Sequence, residues 1–429
     1  MTPKLLLGAV AVLAAAIGAP GWALEGQVLV DVLPTAALVQ AGPSSPWMQS
    51  ETTAVAAQIA VSHAQTLAEG LSLSGTLWGI ADSLPSGSPF STPTAKVDLE
   101  SRILELKLTW EVVPGALVWN LGKEGIHPSS GFSRTPLDVL SRGALADTSN
   151  LTGSAVGLWE EGWIGTGVTA FLGSFTLADY FSPRLSWSSD AGQVLQYVTL
   201  PQNDYQNLTQ VDFRLGETDI RVLGLVASGG PGSDDPEVRV QLGSGLDTAL
   251  GDSLTIRAEI RAADAQTRTA VTDPQLLTTT AQEVRWAPRA LAGFTWTSAD
   301  QLSVMAEYYY NGAGFVGDDY ARLLQYTETL RGRSAPTALD LLDQLGTFSA
   351  AQHYGFLRVS GAIDDSLSAA AWTQVNLQDL SGLAGIVLTV GKPKWSLNAS
   401  VVGAWGGPDT EAGLLPLLWR ANLEMSLFF

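Results

Sequence analysis

Charged side chains recur at every second position in several apolar stretches of this chain. A period of two places alternate residues on opposite faces of a β-strand, so these charges share one face. They are Glu105, Lys107, Arg214, Arg239, Arg257, Glu259, Arg261 and Arg420. On the inner face of a water-filled barrel, opposing charges set a transverse field that biases which ions pass. We predict that these residues line a polar channel; the alternative is a salt-bridged network that fills a closed lumen.

A second set of charged residues belongs to one long polar connection. Lys123 and Glu124 lie at its start, and Arg134 and Asp138 lie further along it. If the connection folds into a barrel, Arg134 and Asp138 are candidates for a constriction, and the first two are candidates for its attachment. The alternative for Lys123 and Glu124 is an ordinary solvated strand end.

The familiar catalytic arrangements are missing from the sequence. Its three histidines are His63, His127 and His353, and it has no Gly-x-Ser-x-Gly elbow, His-Glu-x-x-His pair or phosphate-binding loop. The many carboxylates would permit a paired-acid glycosidase, but the sequence selects no pair. Asp234-Asp235 and Asp318-Asp319 offer oxygen ligands for calcium, although so few ligands usually indicate solvation only. We predict no enzyme activity, no cofactor and no metal site, and calcium binding by loops stays an open question.

The composition limits the class of protein. The chain has 429 residues, a formal net charge of −19 and 46% hydrophobic residues. This acidity disfavours nucleic acid as a partner, and the apolar content is too high for a disordered acidic chain. The chain has no cysteine, which excludes disulfides, thiolate metal sites and lipid-modified cysteines. Its 44 glycines suit turns and curved strands, and its 14 tryptophans suit membrane interfaces.

Residues 1–23 have the pattern of a cleaved secretory signal. Lys4 supplies a positive start, residues 5–19 are an uncharged apolar run, and Gly21 and Ala23 are small residues at the recognition positions for cleavage. The run is short for a transmembrane helix, which needs about 20 apolar residues. We predict a signal peptide over 1–23 and a mature domain over 24–429; an uncleaved helical anchor is the alternative.

The mature chain repeats the alternation that is typical of a transmembrane barrel. The last segment is the clearest, because apolar residues from Leu415 to Phe429 alternate with polar ones such as Arg420 and Glu424. The predicted fold class is all-β: a single transmembrane antiparallel β-barrel of about 16–18 strands, with short periplasmic turns and long external loops.

The predicted elements follow from this alternation. Strands are predicted at 26–33, 54–64, 71–82, 97–112, 115–123, 154–161, 164–175, 205–215, 218–229, 237–248, 251–264, 284–297, 301–311, 352–362, 367–378, 382–391, 394–405 and 415–428. Short turns are predicted near Pro114-Gly115, Glu161-Gly162, Gly216-Glu217, Gly251-Asp252, Ser298-Ala299-Asp300, Asp364-Asp365 and Lys392-Pro393. Long polar loops are predicted at 83–95, 124–152, 176–203, 265–282, 312–350 and 406–413. Residues 318–345 read as a helix that folds into the pore or caps it.

Four stretches resemble a broad set of poorly characterised, porin-like outer-membrane barrels of Gram-negative bacteria and spirochaetes. Residues 117–140 resemble a strand that ends in a Gly-Lys/Arg-Gln motif, although Glu124 replaces the glutamine. Residues 180–185, 307–315 and 376–382 are similar to three further segments of that set. The resemblance implies the barrel architecture and says little about the cargo.

The C-terminus adds a second resemblance. A terminal aromatic residue on an alternating last strand resembles the recognition signal of the outer-membrane assembly machinery, and Phe429 occupies that position. The sequence therefore predicts a channel surrounded by outer-membrane lipid, through which small hydrophilic solutes diffuse. One alternative is a closed structural or surface-interaction barrel, and another is a secreted soluble all-β carbohydrate-active protein. The solute, the openness of the lumen and the assembly of identical copies stay open.

Overall fold

The structure, a computed structural model, describes most of the chain. The described residues are 25–33, 54–82, 98–124, 126, 129–134, 136–137, 163–183, 186–188, 197–199, 205–228, 238–264, 266–333, 350–414 and 419–428. The predicted signal peptide, Asp138 and the terminal Phe429 lie outside these ranges.

The described residues form 22 strands. In the first half they are β1 (Glu25–Leu33), β2 (Ala54–Ala68), β3 (Leu71–Asp82), β4 (Asp98–Val113), β5 (Leu117–Glu124), β6 (Trp163–Leu172), β7 (Phe175–Pro183), β8 (Ser186–Ser188), β9 (Tyr197–Thr199), β10 (Tyr205–Leu215) and β11 (Thr218–Ser228). In the second half they are β12 (Val238–Leu250), β13 (Leu254–Ala263), β14 (Gln266–Asp273), β15 (Thr278–Val284), β16 (Ala287–Thr297), β17 (Ser303–Asn311), β18 (His353–Ala362), β19 (Leu367–Asn376), β20 (Gly382–Lys392), β21 (Trp395–Trp405) and β22 (Trp419–Phe428).

Eighteen of these strands form one antiparallel sheet that closes on itself. Each strand pairs with the next, and the pairing passes over two separate hairpins, β8–β9 and β14–β15, by joining β7 to β10 and β13 to β16. The last strand, β22, then pairs with β1, and Met425 lies opposite Val30. Closure leaves no edge strand with unpaired backbone groups. The predicted all-β antiparallel barrel is confirmed, at the upper end of the predicted strand number.

The two ends of the barrel differ in their connections. At one end the turns are short, and Gly173, Gly216 and Gly251 occupy them with φ angles of 69°, 63° and 66°. Residues with a Cβ are strained at such positive φ, so glycine suits these turns. At the other end most connections are long, and they include both hairpins and the helix α1 (Gly317–Arg333). This confirms the predicted rhythm of short turns and long loops.

One predicted loop was wrong. Residues 176–203 read as a polar connection, but Phe175–Pro183 forms β7 and pairs with both β6 and β10. The sequence pattern concealed this strand because Asp179 lies on its otherwise apolar face. The predicted strand 154–161 and the turn at Glu161-Gly162 lie outside the described residues.

The helix α1 follows the prediction for 318–345 over its first part. It begins at Gly317, and Asp318 and Asp319 lie in its first turn, where carboxylates interact favourably with the helix dipole. Its buried residues are Tyr320, Leu323, Thr327 and Leu330, which are spaced by three or four and share one helix face. Residues 334–349 lie outside the description. No helix in the described ranges combines the length and the apolar character needed to cross a membrane.

The two faces of the barrel wall are chemically distinct. Loop residues such as Leu137 and Tyr320 pack against one face, which is therefore the inner face. The outward face carries large apolar side chains that are more than one third exposed. Examples are Leu106, Val168, Val222, Leu242, Ile260, Leu357, Ile386, Leu388, Val401, Leu423 and Met425. A belt this continuous is typical of a surface that lipid or another protein covers.

Candidate functional site

The inner wall of the barrel has two chemically unlike sides, which we call the apolar half and the charged half. Along β16 to β20, wall residues pack with α1 and with loop residues into one buried apolar cluster. The wall members include Leu291, Tyr309, Tyr354, Phe356, Trp372 and Leu383, and the loop members include Phe315, Tyr320, Leu323 and Ala412. This cluster fills that side of the lumen near the long-loop end.

The other half, from β4 to β13, carries charged side chains. Lys107 lies 3.5 Å from Glu105 and 3.3 Å from Glu124, and Arg221 donates to Asp212 at 2.7 Å. The side chains of Lys107 and Arg221 are 27% and 29% exposed, whereas the apolar half is buried. Within the described residues, water therefore reaches the lumen on the charged side.

Strand register places the predicted lining residues on inward positions. Those whose side chains are described are Glu105, Lys107, Arg214, Arg239, Arg257, Glu259 and Arg261. Arg420 lies opposite Val402 in register, and its side chain is outside the description. Arg214 lies near the turn end, 3.7 Å from Asp219. Contact between these residues and a passing solute stays a prediction.

Part of the β5–β6 connection lies inside the barrel. We call residues 129–134 and 136–137 the inner segment. Glu259, in the middle of β13, accepts hydrogen bonds from several groups at its start. These donors are Ser129 Oγ, Ser130 N, Ser130 Oγ and Gly131 N. Glu259 is only 3% exposed, so its main role in the structure is to hold the inner segment against the wall.

A second carboxylate holds the next two residues of the inner segment. Glu307 on β17 accepts hydrogen bonds from Phe132 N at 2.9 Å and Ser133 N at 2.7 Å. Arg257 contacts both attachment points of the inner segment. It donates to the Ser130 carbonyl at 2.9 Å and lies 3.5 Å from the Glu307 carboxylate. Because the Glu307 side chain is fully buried, these two N–H groups depend on the carboxylate rather than on water.

Arg134, a predicted constriction residue, is buried against the apolar half. It is 5% exposed, and its guanidinium carbon lies 5.6 Å from the ring centre of Tyr309 and 5.4 Å from that of Tyr354. A guanidinium over an aromatic face is attracted by the electron-rich ring. Arg134 therefore anchors the inner segment, while Asp138 lies outside the described residues.

The last residue of the inner segment, Leu137, occupies a buried apolar site on the barrel wall. Leu137 is fully buried, and its closest apolar neighbours are Leu208, Leu223 and Leu225. A Cβ on Gly243 or Gly245 of β12 would lie 2.7 or 2.9 Å from the Leu137 side chain. Two inward glycines thus create the space that Leu137 occupies.

Replacing Gly245 by valine is expected to displace Leu137 from this buried apolar site. Exposing a leucine side chain costs about 1.5–3 kcal/mol, which corresponds to roughly a 10- to 100-fold shift in the docking equilibrium. Limited proteolysis of the detergent-solubilised protein should therefore cleave the β5–β6 connection faster. The matched control is Gly224→Val on the outward face, where a Cβ would meet its nearest atom at 3.8 Å. Equal cleavage of the two variants would contradict the anchoring role of Leu137.

A buried carboxyl group joins the loops above the apolar half. Glu411 accepts hydrogen bonds from Ala350 N at 2.8 Å, Tyr354 OH at 2.9 Å and Asn376 Nδ2 at 2.7 Å. Complete burial raises the pKa of Glu411 to about 7, against the opposing effects of the hydrogen bonds from Ala350 and Tyr354 and of the positive charge of Arg134. Glu411 therefore titrates near neutrality.

The same network reaches the helix α1. The Tyr320 hydroxyl donates to Asp379 at 2.7 Å, and Asn376 Nδ2 donates to that hydroxyl at 2.6 Å. Burial raises the pKa of Tyr320 above its usual range, so the hydroxyl keeps its proton and can donate it. Asp379 also accepts a hydrogen bond from Glu411 N at 2.7 Å. One polar network thus fixes three connections of the long-loop end.

The charged half encloses a cavity near the turn end. Its volume is about 440 Å³, and it lies below the inner segment, since Ser130 is part of its lining. Its charged lining residues are Asp212, Arg214, Asp219, Arg221, Asp247 and Glu259. A space of this size accommodates a small molecule.

The chain is similar in its trace to porins. A triple mutant of the Rhodopseudomonas blastica porin aligns with 10% sequence identity and a TM-score of 0.44, over 95% of this chain and 99% of that one. Salmonella typhi OmpF in complex with daunomycin aligns with 8% identity and a TM-score of 0.47, over 95% of this chain and 97% of that one. No family model matches the sequence, and no curated protein matches it.

Sequence reasoning missed two anchors of the loops. Leu137 lies in a connection without periodicity, and the only available signal was the pair Gly243 and Gly245 within an alternating strand. Glu411 gives no signal in the sequence, because its burial depends on three partners from distant parts of the chain: Ala350, Tyr354 and Asn376.

The proposed calcium ligands in the loops are accounted for in part. Asp319 forms ion pairs with Arg322 and, at 3.7 Å, with Arg268. Asp234-Asp235 lies outside the described residues. In the described part of the chain, no group of three or more histidines and acidic residues is placed to bind a metal ion.

Proposed function

We propose that this chain forms a channel in the bacterial outer membrane through which small hydrophilic solutes diffuse. The proposal includes a signal peptide over 1–23 that is removed on export, recognition of Phe429 by the barrel-assembly machinery, and short turns on the periplasmic side. The outward apolar belt supports a membrane location, because such side chains are favourable against acyl chains and unfavourable in water.

The observation that carries the proposal is the uneven filling of the lumen. The apolar cluster and α1 occupy the side of β16 to β20, whereas partly exposed ion pairs line the side of β4 to β13. Paired charges that keep about a quarter of their surface exposed are suited to a hydrated path, since a fully filled lumen would bury them. Diffusion along such a path needs neither turnover nor a cofactor.

The inner segment is the element that narrows this path. It is fixed at mid-height by Glu259 and Glu307, and it ends over β12 at Leu137. Solutes would therefore pass between the inner segment and the charged wall, where Arg221 and Lys107 bias the local ion concentration.

Single-channel recording in a planar lipid bilayer tests the proposal directly. Protein extracted from the outer membrane and shown to be folded by its heat-dependent gel mobility should give stepwise, ohmic conductance. A folded barrel that gives no conductance over many insertions would overturn the channel function.

Ion selectivity should respond to one inward charge. Arg221→Glu changes the charge of this side chain by two units. For a monovalent ion that passes at about 8 Å from the side chain in water, this alters the electrostatic energy by roughly 1 kcal/mol. Its local concentration then changes about fivefold. The reversal potential in a salt gradient should therefore shift toward cation selectivity. The matched control, Arg322→Glu, changes an exposed residue of α1 by the same charge and should shift it less. Identical shifts for both variants would place Arg221 outside the conduction path.

A second candidate function is a closed barrel that acts through its external loops. The buried cluster between α1 and β16 to β20 favours it, because this cluster already covers the inner face of five neighbouring wall strands. This candidate predicts a folded barrel without conductance and a function that is lost when the loops are deleted.

A further inference from the structure

A further cavity lies in the apolar half, between the buried apolar cluster and the turn end. Its volume is about 360 Å³, and residues of β18, β19 and β20 line it together with Gln301. Phe356 and Trp372, two inward members of the buried apolar cluster, precede it toward the long-loop end. Toward the turn end it joins a wider space of about 890 Å³, and the residues that line both are Gln301, Ala362, Ser368 and Thr389.

Arg358 brings a positive charge into this cavity. Its side chain is partly buried, and its guanidinium carbon lies 5.0 Å from the ring centre of Phe132 in the inner segment. Within the described ranges, no carboxylate lies at ion-pair distance from Arg358 and no protein group accepts a hydrogen bond from it. Arg221 and Arg257, in contrast, lie 2.7 and 3.5 Å from a carboxylate. A partly buried cation is costly without an acceptor beside it, so Arg358 favours an anion in the cavity.

Three hydroxyl side chains line the same cavity. Ser368 on β19 lies opposite Thr389 on β20 in register, and Ser360 on β18 lies opposite Ala370, the next inward residue of β19. In the part of the chain that the structure describes, none of these three hydroxyls forms a hydrogen bond with a protein group. Because a hydroxyl both donates and accepts, the three side chains can bind hydroxyl groups of a ligand that Arg358 holds at its charged end.

We propose that this cavity binds a small monocarboxylate that carries hydroxyl groups, such as a sugar acid. The planar guanidinium of Arg358 matches the two oxygens of a carboxylate, and the hydroxyl side chains match the rest of the ligand. A volume of about 360 Å³ is at the lower end for ligand sites, so it accommodates a single sugar ring. As a solute of the channel this ligand rests on the proposed function, whereas its binding needs only the folded barrel.

The wider space at the turn end restricts the charge of the ligand. Asp300, Asp364 and Asp365 line it, together with the cation Lys392. These carboxylates are exposed, so salt weakens their repulsion of an entering anion. The repulsion still grows with each negative charge on the ligand. A ligand with one carboxylate, which Arg358 balances, is therefore favoured over a multiply charged anion such as phosphate.

Isothermal titration calorimetry of the folded full-length protein in detergent tests the proposal. The probes are D-galacturonate, D-galactose and inorganic phosphate. D-Galacturonate should bind about 10- to 100-fold more tightly than D-galactose, which lacks the carboxylate that pairs with Arg358, and more tightly than phosphate. Arg358→Gln should lower the affinity for D-galacturonate to about that for D-galactose. The matched control is Arg285→Gln, which changes an exposed arginine paired with Glu283 and should keep the wild-type affinity.

A second variant separates the two parts of the site. Ser368→Ala should weaken the binding of both sugars by a similar factor and leave their ratio unchanged. Heat-dependent gel mobility identifies folded variants; if Arg358→Gln does not fold, Arg358→Lys removes the planar fork and should still lower the ratio. The proposal is overturned if the folded wild type binds D-galactose or phosphate as tightly as D-galacturonate, binds no D-galacturonate, or is matched by Arg358→Gln. Conductance without binding would overturn this site only, and binding without conductance would overturn the channel only.

Discussion

The double variant Glu259→Gln/Glu307→Gln should conduct more current than the wild-type protein and should switch between two levels. The change leaves Arg257 without the carboxylate charge of Glu307 and places an amide N–H group against the N–H groups of Phe132 and Ser133. Removing one side of a buried charged contact costs about 3–5 kcal/mol, which lowers the equilibrium constant for docking of the inner segment by roughly two to four orders of magnitude. Single-channel recording measures the expected increase in conductance and the switching between two current levels.

The matched control for this experiment is Glu105→Gln. Glu105 is also an inward carboxylate, but it contacts Lys107 and Ser74 rather than the inner segment. It should alter ion selectivity modestly and leave the conductance near the wild-type value. If the double variant folds and its conductance is unchanged, the inner segment does not limit the path.

The wall of this barrel could be predicted from sequence, because the period of a strand is a local property. Residues 251–264 place Arg257 and Glu259 on one face whatever the rest of the chain does, and the structure has both on inward positions. β7 shows where the same reasoning fails, because one outward carboxylate, Asp179, makes a strand resemble a loop.

The path of the inner segment could not be predicted, because its contacts join distant parts of the chain. Ser130 and Glu259 are separated by 129 positions, and Phe132 and Glu307 by 175. Alternation shows that Glu259 faces inward, but it cannot show whether the carboxylate meets water, a cation or a backbone N–H. The partner of Glu259 is determined only in the closed barrel, where β13 and β17 both pair with β16 and their inward carboxylates face the same connection.

The packing of the long-loop end should weaken as the pH rises through about 7. Burial holds the pKa of Glu411 at about 7, above the ordinary value of 4.5. Between these two values the docked loops bind a proton that free loops do not, so docking is most favourable below pH 4.5 and is weakened as the pH rises through 7. The shift corresponds to roughly 3 kcal/mol of docking free energy.

A buried thiol reports this change. Ala412 is 2% exposed and adjoins Glu411, so labelling of Ala412→Cys by a maleimide requires the loop to open. The rate should be divided by that of Asp409→Cys, an exposed position in the same loop, because thiol reactivity itself depends on pH. The ratio should rise between pH 5 and pH 8, and adding Glu411→Gln, which keeps the neutral form at every pH, should remove the dependence.

The neighbours of Glu411 determine where the transition lies. The titratable and charged groups around it are Tyr354 on β18, Tyr320 on α1, Asp379 before β20 and Arg134 in the inner segment. Arg134 lowers the pKa of Glu411 and Asp379 raises it, so Arg134→Gln should move the transition to higher pH and Asp379→Asn to lower pH. Shifts in the reverse directions would show that another group controls the loops. If the shifts follow the prediction, protonation of Glu411 is coupled through Arg134 to the inner segment, and the width of the path should itself depend on pH.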